Sequence, residues 1–536
     1  MVVEYLSKKR KYLVILVFIL AILLRSFMMV HYFDISGDKI YQSAAALNIS
    51  EGKGYTVPVV DPSNLNSFYN KHMSLWPAAY SYMMAPIISI TGDPAFSCFL
   101  TDLLNNAIFL LAIYWAVSLL NFPFPLRILI LLFKATEINN AVQASVATDY
   151  MAINIWLFTI LSATQFITRG GKNMQYLFLF CSVICPWIRY SNLPIFFIIP
   201  ALMIVVGRYQ HNRIVFRTGI LSMLLSALSI AALLYFNYSN SGAFFYVLET
   251  QRGFYPGNLV YLPPIVWMSF ININFLLTQL SLHSGFSYPF LYQLLQVTGL
   301  VLLVLILVLV LRKFRFHALR KLDTPTCFFL LAGSLSLGTI GSLALLTITR
   351  SRRYNIDQYW TYIEEHRYLM IVTISLMLYI IFRFMVISPA KWLKFLILFI
   401  MISETLHGIW VIAKGPFNPV DQHALLYTQP ETKKLITQKN AEATSESSEL
   451  ILMDEDYDLR GYGILNRIKI IDNPYELDEN KLRPASKKKI LFRIKPGHEP
   501  LFSKFFSRQG LKYHGIIDKY SMYELNIGPA VELRNN

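Results

Sequence analysis

The densest group of residues able to do chemistry follows the first apolar run. It reads Gly37-Asp38-Lys39-Ile40-Tyr41, then Asn48, then Glu51-Gly52-Lys53-Gly54-Tyr55-Thr56. A carboxylate placed there stands at a bilayer surface, where it can meet a lipid headgroup and an acceptor together. The same spacing also suits a loop aspartate that orders a turn after Gly37. Thr148-Asp149-Tyr150 sets a second carboxylate at the start of another apolar run, where Thr148 or Asp149 equally suits a helix N-cap. Asp102, with Asn105 and Asn106 one turn on, gives a polar face to an apolar helix. Asp38, Asp102 and Asp149 are the candidates for a divalent cation, although isolated carboxylates and amides in a span also bond neighbouring helices.

The cations form their own pattern. Arg350, Arg352 and Arg353 follow a late apolar run, and Arg367 sits in Glu364-Glu365-His366-Arg367-Tyr368. A departing phosphate needs fixed positive charge, and arginine grips it bidentately. Salt bridges with Asp357, Glu364 and Glu365 are the structural use of the same residues. Lys71 and His72 are further donor-phosphate candidates, with solvated loop positions as their plain alternative. Arg189, between two apolar runs, costs about 2.5–3.5 kcal/mol at a bilayer centre, so snorkelling is its default and contact with the donor headgroup the alternative.

These residues need a membrane body to position them. The chain has 536 residues, 55% hydrophobic and 15% charged, with a mean hydropathy of +0.45. That composition leaves too much apolar surface for water. Apolar spans are read near residues 12–31, 95–120, 124–142, 147–167, 174–188, 191–207, 214–236, 287–311, 326–349, 367–387 and 392–412. The segment from Leu75 to Ile90 contains Pro77 and Pro86 and is short, which suits an interfacial or re-entrant helix. The formal net charge of +16 gathers at span ends and reflects topology; no nucleic-acid motif is present. Arg127, Arg169 with Lys172, Arg208 with Arg213, Arg312 to Lys321, and Arg383 with Lys391 all fall on the cytoplasmic side when the N-terminus does. Segments 32–94, 237–286 and 350–366 are then outer loops. The four cysteines lie in or beside apolar spans, as small hydrophobes.

Beyond Pro416 the composition turns charged and Ser-rich. Short β-type runs follow at Glu449–Met453, Ile468–Ile471, Lys489–Ile494, Leu511–Ile517 and Met522–Ile527, with a helix near Pro500–Arg508 closed by Gly510. The expected fold is an α-helical polytopic membrane protein with about eleven transmembrane helices and a small C-terminal α/β soluble domain. Residues 1–415 form the membrane module and 416–536 the extracytoplasmic domain.

The order of span, Asp38, Tyr41, Gly52-x-Gly54-Tyr55, a Trp76-Pro77 interfacial helix ending at Gly92, then many spans resembles the GT-C fold glycosyltransferases that use polyprenyl-phosphate sugars. Within these it is similar to the protein mannosyltransferase and aminoarabinose transferase superfamily, best over residues 1–170. The resemblance implies Asp38 as catalytic base and Asp149 as the second family aspartate. It likens Glu364-Glu365-His366-Arg367-Tyr368 to a late outer-loop motif. Lys39 stands where the family has a second acidic residue, so no role needing two adjacent carboxylates carries over. Trp76 stands where aminoarabinose transferases have a phosphate-holding lysine, so that contact does not carry over either.

The implied activity is an inverting glycosyltransferase. It would move a sugar from a polyprenyl-phosphate carrier to a glycan, glycolipid or protein acceptor on the outer face of the plasma (inner) membrane, with the N-terminus cytoplasmic. A flippase or transporter of lipid-linked sugars is the main alternative. No internal repeat or pair of broken helices supports it. A non-catalytic envelope-assembly scaffold is the third reading.

Overall fold

The computed structural model describes residues 2–31, 38–61, 64–137, 147–190, 196–244, 253–261, 287–313, 319–348, 370–387, 390–414, 430–454, 462–463, 468–471, 487–505 and 511–527. The helices in chain order are α1 (Val2–His31), α2 (Asp38–Ser50), α3 (Ala79–Thr91), α4 (Pro94–Leu119), α5 (Phe124–Thr136), α6 (Ala147–Arg169), α7 (Lys172–Ile184), α8 (Ile198–Tyr209), α9 (Arg213–Ser241), α10 (Tyr288–Lys313), α11 (Thr324–Ile348), α12 (Met370–Ile381), α13 (Lys391–Lys414), α14 (Pro430–Ser445) and α15 (Glu499–Phe505). Strands β1 (Thr56–Asp61) and β2 (Asn64–His72) pair antiparallel. The remaining strands are β3 (Glu449–Asp454), β4 (Lys469–Ile471), β5 (Lys488–Ile494), β6 (Leu511–Ile517) and β7 (Tyr520–Ile527).

The chain is a multi-pass membrane protein. Among the described residues six helices are long and apolar enough to cross a bilayer: Pro94–Leu119, Thr148–Arg169, Arg213–Ser241, Thr324–Leu345, Met370–Ile387 and Lys391–Trp410. Tyr12–Phe27 within α1, Ile198–Tyr209 (α8) and Phe290–Leu302 within α10 are shorter apolar stretches among the described residues. The other two expected spans correspond to α5 and α7, each of 13 residues. α5 stops at Thr136, where Glu137 turns to extended backbone with ψ 112°.

The chain divides into two compact units. The first comprises Met1–Met29, Ser74–Ala79 and Asp102–Gly415. Its core draws Phe109 and Ile113 from α4, Ile130 from α5, Ile160 from α6, Leu331 from α11 and Met377 from α12. Lipid tails are as apolar as leucine, so helices here associate by close fit and interhelical hydrogen bonds. α9 shows both. Asn212 caps it by accepting from the amides of Ile214 and Val215 at 3.1 and 3.2 Å, and Gly242 ends it at φ 72°. Its buried row Thr218, Gly219, Ser222, Ser226 and Ser229 faces α7 and α8. Ser222 bonds Ser182 at 2.6 Å, and Ser229 donates to the Val183 carbonyl at 2.6 Å. A Cβ on Gly219 would stand 2.9 Å from Ile204 and the Pro200 carbonyl. α13 meets α5 at Gly408, whose missing Cβ would fall on the Thr136 carbonyl.

The second unit comprises Val30–Met73, Tyr80–Thr101 and Pro416–Asn536. The segment after the first span, read as a loop in the sequence, forms α2 and the β1–β2 hairpin. Asp38 opens α2 and Tyr41 and Asn48 lie along it. Asn48 ties the helix to the hairpin, donating to the Thr56 carbonyl at 2.9 Å. α3 takes the place of the expected interfacial segment. Its 13 residues, with Pro86 inside, reach about 20 Å, short of a bilayer core of about 30 Å. Tyr80 and Ser81 of α3 are fully buried, and Ser81 donates to the Gln42 side chain of α2 at 2.7 Å.

The C-terminal part of this unit is a five-stranded sheet in the order β4-β3-β5-β7-β6. β4, β3 and β5 are parallel, and β7 and β6 add antiparallel. Both faces are covered. Leu450 and Leu452 pack with Ile436 and Ala443 of α14, while Ile451 and Met453 pack with Phe502 of α15. A strand covered on both faces reads as a continuous apolar run, which is why β3 and β5 were legible as strands. The β6–β7 turn places Asp518 and Lys519 at φ 46° and 76°, the backbone of a tight hairpin. The Asp518 carboxylate accepts from the Thr432 amide at 2.7 Å, capping α14. α14 itself was not expected: its buried face is Thr432, Ile436, Lys439 and Ala443, half of it polar.

Candidate active site

The first unit contains a layer of buried polar side chains that the apolar spans would not carry without reason. α1 and α5 deliver it near their C-terminal ends, α4 and α6 in their N-terminal halves, and α7 from the turn beyond it. Asp102, Asn105, Asn106 and Phe109 recur every three to four residues on α4, and so share a face. Asp102, Asn105 and Asn106 are 3%, 2% and 1% exposed. On α6, Asp149 and Tyr150 lie in the first turns and Asn154 follows one turn later. Asn154 donates to the Asn105 carbonyl at 2.8 Å, locking α6 against α4.

At the centre is Arg25, fully buried and not singled out by the sequence reading. Its Nε donates to Asn106 Oδ1 at 2.8 Å, one Nη to the Glu137 carbonyl at 3.0 Å, and the other to the Tyr150 hydroxyl at 2.5 Å. Asn106 in turn donates to the Asp102 carbonyl at 2.8 Å, and Phe109 sets its ring edge-on to Tyr150 at 5.3 Å. The Glu137 carboxylate pairs with Lys134 at 2.7 Å.

Asp149 has a fully buried side chain and forms an ion pair with Arg189, which is 13% exposed. Arg189 thus pairs across the unit instead of snorkelling. The 3₁₀ turn Cys185–Trp187 carries the chain toward it, and the next residue, Tyr190, accepts from Asn237 of α9 at 2.7 Å. The layer therefore holds Arg25, Lys134 and Arg189 with Asp102, Glu137 and Asp149. A guanidinium in such a layer can hold phosphate oxygens bidentately, and a carboxylate can hold or orient a proton.

The other expected site residues lie elsewhere. Asp38 begins α2 in the second unit, and its side chain is outside the described ones. Lys71 and His72 end β2. Lys71 is exposed, while His72 is 8% exposed with its ring edge-on to Tyr55 at 5.7 Å. Arg350, Arg352, Arg353 and Arg367 lie outside the described residues. Among the described residues no three His, Cys, Asp or Glu side chains could together hold a metal ion. Cys98, Cys181, Cys185 and Cys327 are buried thiols.

No family model matches the sequence, and no curated protein does. Solved structures do. The chain overlays the crystal structure of ArnT from Cupriavidus metallidurans bound to undecaprenyl phosphate over 95% of its own length and 97% of that chain, with a TM-score of 0.53 and 10% identity. The fold is that of the GT-C glycosyltransferases. ArnT from the same organism in the apo state matches over 96% of this chain and 98% of that one, with a TM-score of 0.50 and 10% identity. At that identity the likeness is one of fold. The GT-C body thus extends far past residue 170, where the sequence resemblance thins.

Proposed function

We propose that this protein is an inverting glycosyltransferase that moves a sugar from a polyprenyl-phosphate carrier to an acceptor on the extracytoplasmic face. The observation that carries the reading is a GT-C fold along nearly the whole chain, in a body that buries the Asp149–Arg189 pair and Arg25 among apolar spans. ArnT, of the same fold, binds undecaprenyl phosphate. A lipid-linked donor gives an enzyme reason to have a membrane body and no nucleotide-binding motif.

In this reading the N-terminus is cytoplasmic, residues 1–415 form the membrane module of the plasma (inner) membrane, and 416–536 an extracytoplasmic domain that orients the acceptor. Asp38 is the base. The acceptor nucleophile attacks the anomeric carbon in line, its proton passes to Asp38, and the bond to phosphate oxygen breaks with its electron pair leaving on the polyprenyl phosphate. Positive charge stabilises that oxygen as it departs. Arg189 supplies it from the buried layer, and Arg350, Arg352, Arg353 and Arg367 supply it from the late outer segment, with Lys71 and His72 as further contacts. Asp149 holds Arg189.

The test is transfer by purified protein in nanodiscs from a panel of radiolabelled polyprenyl-phosphate sugars to membrane extract, wild type beside Asp38→Asn. Labelled product from wild type and a loss of roughly 100-fold or more in the folded variant is expected of a general base. Equal turnover by both sinks the role of Asp38, and silence from wild type across the panel sinks the activity.

A further inference from the structure

Nothing in the reaction above uses Arg25, yet it is among the largest side chains that the fold buries completely. A guanidinium inside an apolar helix is costly. A helix that had only to pack would carry leucine or methionine there, because apolar residues often replace buried ionic groups without loss of stability. What an apolar residue cannot do is fix directions. The guanidinium is a rigid planar fork of five N–H donors, and here it addresses acceptors on three separate elements: Asn106 of α4, the Glu137 carbonyl after α5, and the Tyr150 hydroxyl of α6. A lysine ammonium has three donors on a flexible stem and does not reproduce that geometry.

The bond to Tyr150 reaches furthest. Tyr150 adjoins Asp149 in the first turn of α6, so the anchor on its hydroxyl sets the rotation of α6 at the point where Asp149 meets Arg189. Asn154, one turn on, holds the same helix to α4.

We propose that Arg25 is a positioning residue of the transfer site, acting through Tyr150 to hold the Asp149–Arg189 pair where the leaving phosphate meets it. The proposal rests on the glycosyl-transfer reading above. Arg25 itself touches no substrate in this role, so its loss shows in kcat rather than in donor KM.

The experiment compares wild type, Arg25→Lys, Tyr150→Phe and the double variant in nanodiscs. Initial rates are measured across concentrations of an undecaprenyl-phosphate sugar that wild type uses, and the folded fraction by SDS titration. Each single variant is expected to lose roughly 10- to 100-fold in kcat, with donor KM within about twofold of wild type. The double variant is expected to be no slower than the slower single one, as for two residues acting as one unit. If Arg25→Lys does not fold, Tyr150→Phe, which removes one oxygen, carries the same kcat expectation. A raised KM with kcat intact makes Arg25 a donor ligand and overturns the proposal. So do multiplying losses, which place Arg25 on a route independent of Tyr150, and an unchanged kcat in variants with lowered SDS midpoints. Wild type silent on every donor fails the glycosyl-transfer reading and this proposal with it; an active wild type with unaffected variants fails the proposal alone.

Discussion

Replacing Gly408 by alanine tests whether the contact of α13 on α5 is as close as the backbone shows. An alanine Cβ would fall on the Thr136 carbonyl oxygen, 2.8 Å from Thr136 Cβ and 3.0 Å from its carbonyl carbon. Carbon atoms in contact ordinarily sit about 3.5–4.0 Å apart, so the helices must separate by about 1 Å. A gap of that size forfeits about a quarter to a half of the dispersion attraction across it, and overpacking of this kind costs about 1–3 kcal/mol. Alanine in a helix interior recovers about 1 kcal/mol over glycine. Gly341, inside α11 with nothing within 4 Å of its Cβ position, receives that gain without the clash. Gly408→Ala and Gly341→Ala should therefore differ by about 1–3 kcal/mol, roughly 5- to 160-fold in the folded-to-unfolded ratio. The midpoint of SDS-induced unfolding in mixed micelles reads this difference. The same push bears on Glu137, the residue after Thr136, whose carbonyl holds Arg25, so Gly408→Ala should also slow sugar transfer. Equal midpoints for the two alanine variants would refute the close contact.

Two further expectations concern charge. Asp149→Asn and Arg189→Met each break a pair whose side chains are 0% and 13% exposed, at a cost of about 3–5 kcal/mol, whereas the double variant should cost well under the sum; additive SDS midpoints would show that the pair is not coupled. In the C-terminal sheet, burial works against ionisation of Glu524, but hydrogen bonds from Lys439 and His514 outweigh it and hold its pKa below the carboxylate range, and the Lys439 hydrogen bond brings exposed Glu442 to about 2. Depressed carboxylates stabilise fully above their unfolded pKa of about 4.3 and lose that contribution as pH falls through the folded values. Protection of β3 to β7 against hydrogen exchange, normalised to intrinsic rates, should thus be flat from pH 6 to 8 and fall between about pH 4 and 2, with most of the loss carried by buried Glu524 and less by Glu442, whose contacts solvent screens. Lys439 shifts upward because its bonds to Glu442 and Glu524 outweigh burial, so its share is complete below about pH 10.4 and disappears only above that. Unchanged protection at pH 2 would remove these carboxylates from the stability of the sheet.

What could be read from the sequence follows from how local each signal is. β5 announces itself by the contiguous Ile490-Leu491-Phe492, and β6 by Tyr513, Ile516 and Ile517, residues that favour strands, set among polar ones; observed Lys488–Ile494 and Leu511–Ile517 differ from the reading by at most a residue. α14 was hidden because Thr432 and Lys439 occupy core-facing positions, so hydrophobic periodicity is half erased. α2 and the β1–β2 hairpin were hidden because polar residues such as Asn48 and Asn70 do their packing through hydrogen bonds. Arg25 is the instructive omission. One arginine in an apolar run is a signal by itself, but Asn106, Glu137 and Tyr150 stand 81 to 125 residues away, so nothing local reveals its purpose. Asp149 was visible from its setting, while its partner Arg189 was known only as a lone cation.

Those separations also bear on how the protein is made. The first span leaves the ribosome long before the Tyr150 hydroxyl that Arg25 addresses, 125 residues downstream. At about 5–20 residues per second that is an interval on the order of ten seconds. For the first 81 residues of it α1 carries its guanidinium without any of the bonds to Asn106, Glu137 and Tyr150, and the Tyr150 hydroxyl becomes available only at its end. The helix therefore has reason to stay at the insertion machinery or in the interfacial region until α4 to α6 arrive, and to enter the bilayer as a member of that group.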